Sequence, residues 1–356
     1  MDLLDPRYED DASPPLPMLV SGIAGVPGYN AFHYFRDRYG DQVIGVRQSN
    51  MWPLSGDGIV ACDAEDADSV ARLWDQYRFR SLLNFGGCCR LKSCELNVDM
   101  AHRVNVVGAE NMIAQAVRHD ARVIHLSVDL VFAGRDGGSY DEQDATDPVT
   151  VYGAKMVEAE NVVLSQCDNA CVLRISLPMG ISFNEHAGAI DWIASRFKQN
   201  KPATLFTDEV RTPTYTDCMN GLFATLLDKP LTGLYHAGGP RRLTLYQIGQ
   251  IVNRVGGYDP DLLHKSLRHE AGPMPPRAGD VSMDSSKLQQ DLGYNPFDPW
   301  PLTDEWLPTH ERWHYEREDG FSGSEAKIKS LLYQNPDKPG MVPPSRNEVW
   351  GASRFA

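Results

Sequence analysis

The sequence predicts an α/β protein built on a doubly wound parallel sheet with a smaller C-terminal lobe, and three observations carry that expectation. Through the first half of the chain, short apolar runs alternate with longer stretches of helical period. A glycine-rich turn, Gly22-Ile23-Ala24-Gly25-Val26-Pro27-Gly28, joins the first apolar run to the first helical stretch. After Pro178 the rhythm loosens, as expected where the chain leaves a sheet to build a covering lobe.

The first strand is Met18-Leu19-Val20-Ser21, and the helix behind it occupies residues 29–39. Glycine is needed between them because a tight strand-to-helix turn must let a pyrophosphate approach bare backbone. The phosphate charge then rests on unpaired N–H groups at the positive end of the helix. The spacing is GxxGxxG, not GxGxxG, so the flanking strand and helix carry as much of the dinucleotide reading as the glycines do. Further strands are expected at 42–46, 58–61, 81–84, 122–126 and 171–175, with helices at 68–77, 97–119 and 151–166. Strand, helix, strand repeated in this way needs right-handed crossovers, and those specify the parallel sheet. The resulting division is a dinucleotide-binding domain at 16–178 with returning pieces near 208–258, an interleaved substrate lobe at 179–310, and an extension at 311–356. The stretch beyond Gly320, rich in Pro, Ser, Asn and charge, reads as extended, either loose or laid against a neighbouring subunit of a possible homodimer.

Composition narrows the function classes. A chain of 356 residues can bury a large core. A net charge of -14 argues against a general nucleic-acid or anionic-membrane partner, since phosphates would repel that surface. Seven cysteines show no paired CxxC spacing, so reduced thiols and a cytoplasmic location are the plain expectation. Residues 1–17 are acidic and proline-rich, and no run approaches the ~18 apolar residues of a membrane span.

Several patches, taken in order, resemble the extended short-chain dehydrogenase/reductase family, whose first domain is of the Rossmann type, and in particular its dTDP-4-dehydrorhamnose reductase branch. They are Gly22 to Gly28, Leu83-Asn84-Phe85-Gly86-Gly87, His102 to Gly108, Leu126-Ser127-Val128-Asp129-Leu130-Val131-Phe132-Ala133-Gly134, Val151-Tyr152-Gly153-Ala154-Lys155, Leu173-Arg174-Ile175-Ser176 and Thr212 to Asp217. The likeness spans roughly residues 18 to 295. It implies a nicotinamide cofactor on the first domain and a nucleotide-linked sugar beneath the second.

The family's chemistry uses a tyrosine as general acid or base, a lysine that lowers its pKa from about 10, and a Ser or Thr hydroxyl on the substrate oxygen. Tyr152 matches the tyrosine. The family's lysine stands four residues further on, where this chain has Met156, and Lys155 stands three on. The hydroxyl position falls on Val128, with Ser127 one residue earlier. The resemblance assigns the cofactor to Gly22, Ala24, Gly25, Val26, Gly28, Asp63, Asn84, Phe85, Gly86, Ser127, Tyr152, Lys155 and Ile175, and the sugar nucleotide to Gly87, Arg211, Tyr215 and Arg277. Asn105 resembles the asparagine that braces the active-site helix. The second strand ends Val46-Arg47-Gln48 without the acidic residue that would accept from a 2′-hydroxyl, so Arg47 is placed on a 2′-phosphate and NADP(H) is favoured over NAD(H).

Two other motifs are read as structural. His310-Glu311-Arg312-Trp313-His314 spells HExxH but follows the end of the apparent fold, and is taken as an amphipathic closing helix with no metal. Cys88-Cys89 is taken as packing, since adjacent cysteines strain a disulfide. Three functions stay open: an NADP(H)-dependent reductase of a nucleotide-linked 4-keto sugar using Tyr152, which is preferred; a non-catalytic dinucleotide-binding subunit, as the methionine adenosyltransferase regulatory subunit of this family shows; and an epimerase or dehydratase that recycles its hydride.

Overall fold

A computed structural model of the chain describes residues 13–135, 137–184, 188–272, 275–317 and 323–334. At its centre is a seven-stranded sheet. The strands β1 (Met18–Val20), β2 (Val43–Arg47), β3 (Ile59–Ala61), β4 (Ser81–Asn84), β5 (Arg122–Val128) and β6 (Ala170–Ile175) follow in chain order, and the last place is taken by Gly233–Ala237. From one edge the order runs Gly233–Ala237, β6, β5, β4, β1, β2, β3, with every neighbouring pair parallel. The order reverses between β1 and β4, where an open α/β sheet leaves a crevice.

Alternation along the strands divides the core. Met18, Val20, Leu83 and Ile124 face one cluster with the Val26–Tyr39 and Thr216–Asp228 helices, through side chains such as Phe32, Phe35 and Phe223. Leu19, Leu82, Val123 and Val172 face the other, with Val70, Trp74, Ile113 and Val163 from the helices at Ala67–Tyr77, Gly108–Arg118 and Val151–Gln166. A period of two thus packs helices on both faces of the sheet, which is the doubly wound arrangement expected. Outside it, two-stranded pairs join Pro178–Met179 to Thr214–Tyr215, Ala203–Phe206 to Leu263–Ser266, and Val210–Arg211 to Leu243–Thr244. Among the described residues, no helix is long and apolar enough to cross a membrane.

Three expectations are corrected. The helix expected at 97–119 is interrupted: Val98–His102 and Gly108–Arg118 flank a π-helical turn at Arg103–Val107. The stretch beyond Gly320 is not simply extended, because Glu325–Leu332 is a helix, Leu331, Leu332 and Tyr333 are buried, and the Trp300 indole N–H donates to the Leu331 carbonyl at 2.7 Å. Residues 335–356 lie outside the described residues. The closing helix at the HExxH string is also absent, and a short 3-10 turn at Trp313–Tyr315 stands there instead. The carbonyls of His310 and Glu311 accept from the Gln250 amide at 3.1 and 3.0 Å, and the Tyr246 hydroxyl donates to Glu311 as well, so the Leu245–Gly256 helix uses acceptors that a local helix would need. His310 meets Glu316 at 3.0 Å while His314 is buried, so the two imidazoles serve different neighbours.

His125, His236 and His314 are buried, and burial holds each at about 4, against an ordinary 6.5. Between those values the unfolded chain binds protons that the folded one refuses, so their contribution is complete above pH 6.5 and drains away as pH falls toward 4. Urea unfolding followed by circular dichroism is expected to show the midpoint dropping from pH 7 to pH 5, by a loss on the order of 1 kcal/mol per histidine. A midpoint that stays flat across that range would contradict this account.

Candidate active site

A cavity of about 460 Å³ opens at the carboxyl ends of β1, β2, β4, β5 and β6. The glycine turn forms one end of it. Gly22 has φ +69°, and a Cβ there would lie 2.2 Å from the Phe85 carbonyl oxygen, so only glycine lets the turn pass so close to the β4 end. Gly25 precedes the Val26–Tyr39 helix as its N-cap, and Gly22, Ala24, Gly25 and Val26 all line the cavity. Gly28 is not on the wall. A Cβ at Gly28 would come within 2.3 Å of the Gly22 carbonyl, so its part is to let the helix seat against the turn.

Arg47 lines the cavity and donates to the main-chain carbonyls of Gln48 at 3.0 Å and Ser49 at 3.3 Å. Asp63 does not line it, and its carboxylate accepts from the Ser49 amide at 2.8 Å, bracing the loop beside Arg47. The acidic group on the wall at this end is Glu65, whose buried Oε2 has no hydrogen-bond partner among the described residues. Sequence reasoning missed it because the pattern directs attention to Asp63, two residues earlier.

At β4 the wall is Phe85, Gly86 and Gly87. Asn84 lies behind it, accepting from Ser21 Oγ at 3.0 Å and contacting His125 Nδ1 at 2.9 Å. The same Ser21 oxygen accepts from the Phe85 and Gly86 amides at 3.0 and 3.1 Å, fixing the loop's course. Asn105, within the π-helical turn, lines the cavity and accepts from the Cys88 amide at 2.7 Å.

Tyr152 stands in the first turn of the Val151–Gln166 helix. Thr150 caps that helix by accepting from the Gly153 amide at 2.9 Å, and Glu95 accepts from the Val151 amide at 2.7 Å. Gly153 is required because a Cβ would meet the Leu130 carbonyl at 2.2 Å. Tyr152, Met156 and Glu160 follow at intervals of four, share one face and are all buried; the first two line the cavity. Burial, with Cys89 and Asp129 nearby, holds the Tyr152 phenol well above its ordinary 10.

Lys155 is not part of this wall. Three positions on from Tyr152, it leans off the shared face and donates to Glu158 at 2.6 Å, and among the described residues no lysine lines the cavity. Ser127 reaches the wall, but its hydroxyl donates to Glu160, which Arg174 grips through Nε at 2.9 Å and Nη2 at 2.8 Å. Its proton is therefore committed behind the wall. Val128 and Ile175 present apolar surface to the cavity.

At the far end, Gly87, Arg211 and Arg277 line the cavity. Arg211 is buried between Asp129 at 2.5 Å and Glu209 at 3.0 Å, and Arg277 pairs with the same Glu209 at 2.8 Å. Burial pushes the Asp129 carboxyl up, against the pull of Arg211. Tyr215 is displaced from the site: it is buried in the core, donates to the Ser330 carbonyl at 3.3 Å and accepts from the Leu302 amide at 2.9 Å. Asp129 and Glu209 escaped sequence reasoning because charge partners distant along the chain leave no spacing to recognise.

A doubly wound sheet, a glycine turn over its crevice and a helix-start tyrosine at the carboxyl end of β5 define an extended short-chain dehydrogenase/reductase, a class of NAD(P)-dependent oxidoreductases. The sequence model of the RmlD substrate binding domain matches residues 18–301, and the chain belongs to that family. Among its relatives, the probable low-salt glycan biosynthesis reductase Agl14 of Haloferax volcanii is 26% identical over 276 residues, covering 77% of this chain and 91% of that one. The methionine adenosyltransferase 2 subunit beta of Danio rerio is 23% identical over 278 residues, covering 76% of this chain and 84% of that one. The dTDP-4-dehydrorhamnose reductase from Bacillus anthracis str. Ames, solved in complex with NADP, superposes with a TM-score of 0.69 at 17% identity over 80% of this chain and 95% of that one.

Replacing Lys155 by Ala is expected to change dinucleotide affinity, measured by calorimetry, by less than about twofold, because its ammonium is paired with Glu158 and off the cavity wall. A tenfold loss would place the ammonium in the cavity and contradict the geometry.

Proposed function

We propose that the protein is an NADP(H)-dependent reductase of a nucleotide-linked 4-keto sugar, with Tyr152 as proton donor. The observation that carries this reading is the placement of Tyr152 on the same cavity wall system as the glycine turn, at the reversal point of the sheet. The cavity suits the cofactor: Cβ atoms would fill the cradle at Gly22, Arg47 offers donors at the end of β2, and Glu65 keeps an unpaired carboxylate oxygen for an amine. When bound, the reduced nicotinamide supplies a hydride. Residues 16–178 hold it, and the interleaved lobe covers the sugar.

A phenol held well above 10 stays protonated at neutral pH, so Tyr152 can give a proton to a carbonyl oxygen but is a poor base toward an alcohol. Arg277, the more exposed of the two arginines on Glu209, can swing to a sugar diphosphate while Arg211 stays fixed.

One observation favours a second reading, a dinucleotide-binding subunit without turnover. Met156 and Val128 line the cavity where the family resemblance implies a lysine and a hydroxyl, and Lys155 is held by Glu158. Kinetics separate the two. Under the reductase reading, the protein consumes NADPH with a nucleotide-linked 4-keto sugar and Tyr152→Phe lowers kcat by about 100-fold or more. Met156→Lys sets an ammonium one turn from the phenol and moves the upper limb of the kcat profile to lower pH. NADPH binding that survives Tyr152→Phe, with no turnover in either form, selects the second reading. For the cofactor, Arg47→Asp is expected to weaken NADPH more than NADH, and equal losses would reject the 2′-phosphate contact.

A further inference from the structure

Two thiols that the proposed reduction does not use stand beside the cavity: Cys88 in the loop after β4 and Cys94 on the Leu91–Leu96 helix that follows it. Cys94, on that helix, is buried in the apolar cluster that also holds Tyr152 and Met156, and Cys88 packs against the same cluster. Cys94 Sγ lies 3.4 Å from the Cys88 carbonyl oxygen, so the helical turn between them folds the two residues back on each other. Cys89 lines the cavity wall, so the loop thiol that shares Cys94's apolar cluster is Cys88. Six residues of separation spare this pair the strain that adjacency imposes on Cys88 and Cys89.

We infer that Cys88 and Cys94 form an oxidisable dithiol whose disulfide tethers the 85–91 wall of the cavity to the Leu91–Leu96 helix. The oxidant is a hydroperoxide. The more accessible Cys88 attacks the peroxide oxygen as thiolate, becoming a sulfenic acid as the O–O bond breaks, and the departing hydroxide takes up the proton Cys88 had released and leaves as water. Cys94 sulfur then attacks the sulfenic sulfur, the S–S bond forms, and the departing hydroxide takes the thiol proton as a second water. Two thiols lose two electrons and hydrogen peroxide is reduced to two waters. Burial and the neighbouring Cys88 push the Cys94 thiol up to about 12, which leaves the first attack to the more accessible Cys88. Because Phe85, Gly86, Gly87, Cys89 and Leu91 all line the cavity, the cross-link ties its shape to the oxidation state.

The test uses the full chain treated with equimolar hydrogen peroxide. Arg90 and Lys92 lie between the two cysteines, so trypsin separates their peptides unless a disulfide holds them. The expected result is an intramolecular mass loss of about 2 Da for two hydrogens, mapped to a Cys88–Cys94 peptide pair, retained in Cys89→Ser and reversed by dithiothreitol. Cys94→Ser, or Cys94→Ala should the serine disturb the apolar cluster, is expected to abolish the pair. A cross-link that disappears in Cys89→Ser, or that forms only between molecules, overturns the inference. Oxidised Cys89→Ser protein is further expected to bind NADPH about fivefold more weakly than its reduced form, and equal affinity overturns the coupling. That last readout rests on the proposed NADPH site: reduced protein with no NADPH affinity counts against the proposed function, while the peptide map still decides the dithiol.

Discussion

The rotation of the Val151–Gln166 helix about its own axis decides what the cavity contains, and two contacts seven residues apart fix it. At one end, Gly153 lets the helix backbone press onto the Leu130 carbonyl. Two turns later, Glu160 is clamped by Arg174 and receives the Ser127 hydroxyl. Removing one partner of such a buried pair costs about 3–5 kcal/mol, far more than re-pairing a single half-buried lysine recovers, so no gain at Lys155 turns the helix. Met156 faces inward because Tyr152 and Glu160 do, and Lys155 is carried outward by the same setting.

The charged end of the cavity follows a similar logic of prior commitment. Asp129, Glu209, Arg211 and Arg277 supply two charges of each sign, and Ser176 donates to Asp129 at 2.6 Å. Each buried charge therefore has its partner before any ligand arrives, which is the condition under which such groups are tolerated away from water. Under the proposed function, a sugar diphosphate would have to compete with Glu209 for Arg277. Selectivity at this end then comes from groups that can do so with good geometry.

Much of the fold was legible in the sequence because its signals are local. Apolar runs placed β1 to β6 within a residue or two, and the glycine turn located the crevice. What escaped depends on contacts between distant segments. Tyr215 looked like a lobe residue, but Leu302 and Ser330 hold its hydroxyl in the core. Asp63 followed the expected pattern and Glu65 took the wall. The interruption at Arg103–Val107 had no signature in helical periodicity, since Val104, Val106 and Val107 fit a continuous helix as well as a π-helical turn. Lys155 shows the limit most clearly: spacing along a helix names two candidate neighbours of a tyrosine, and only the packing at Gly153 and Glu160 chooses between them.

The docking of Glu325–Leu332 reaches beyond its own segment. Trp300 and Tyr215 both address backbone carbonyls of that helix, and Cys218 contacts Gln334, so residues 330–334 help complete the packing around the Thr216–Asp228 helix. The recognised family span ends at residue 301, one position past Trp300. The packed unit is thus longer than the matched family span: a recombinant version trimmed to that border would leave an indole ring and a tyrosine uncovered at its seam.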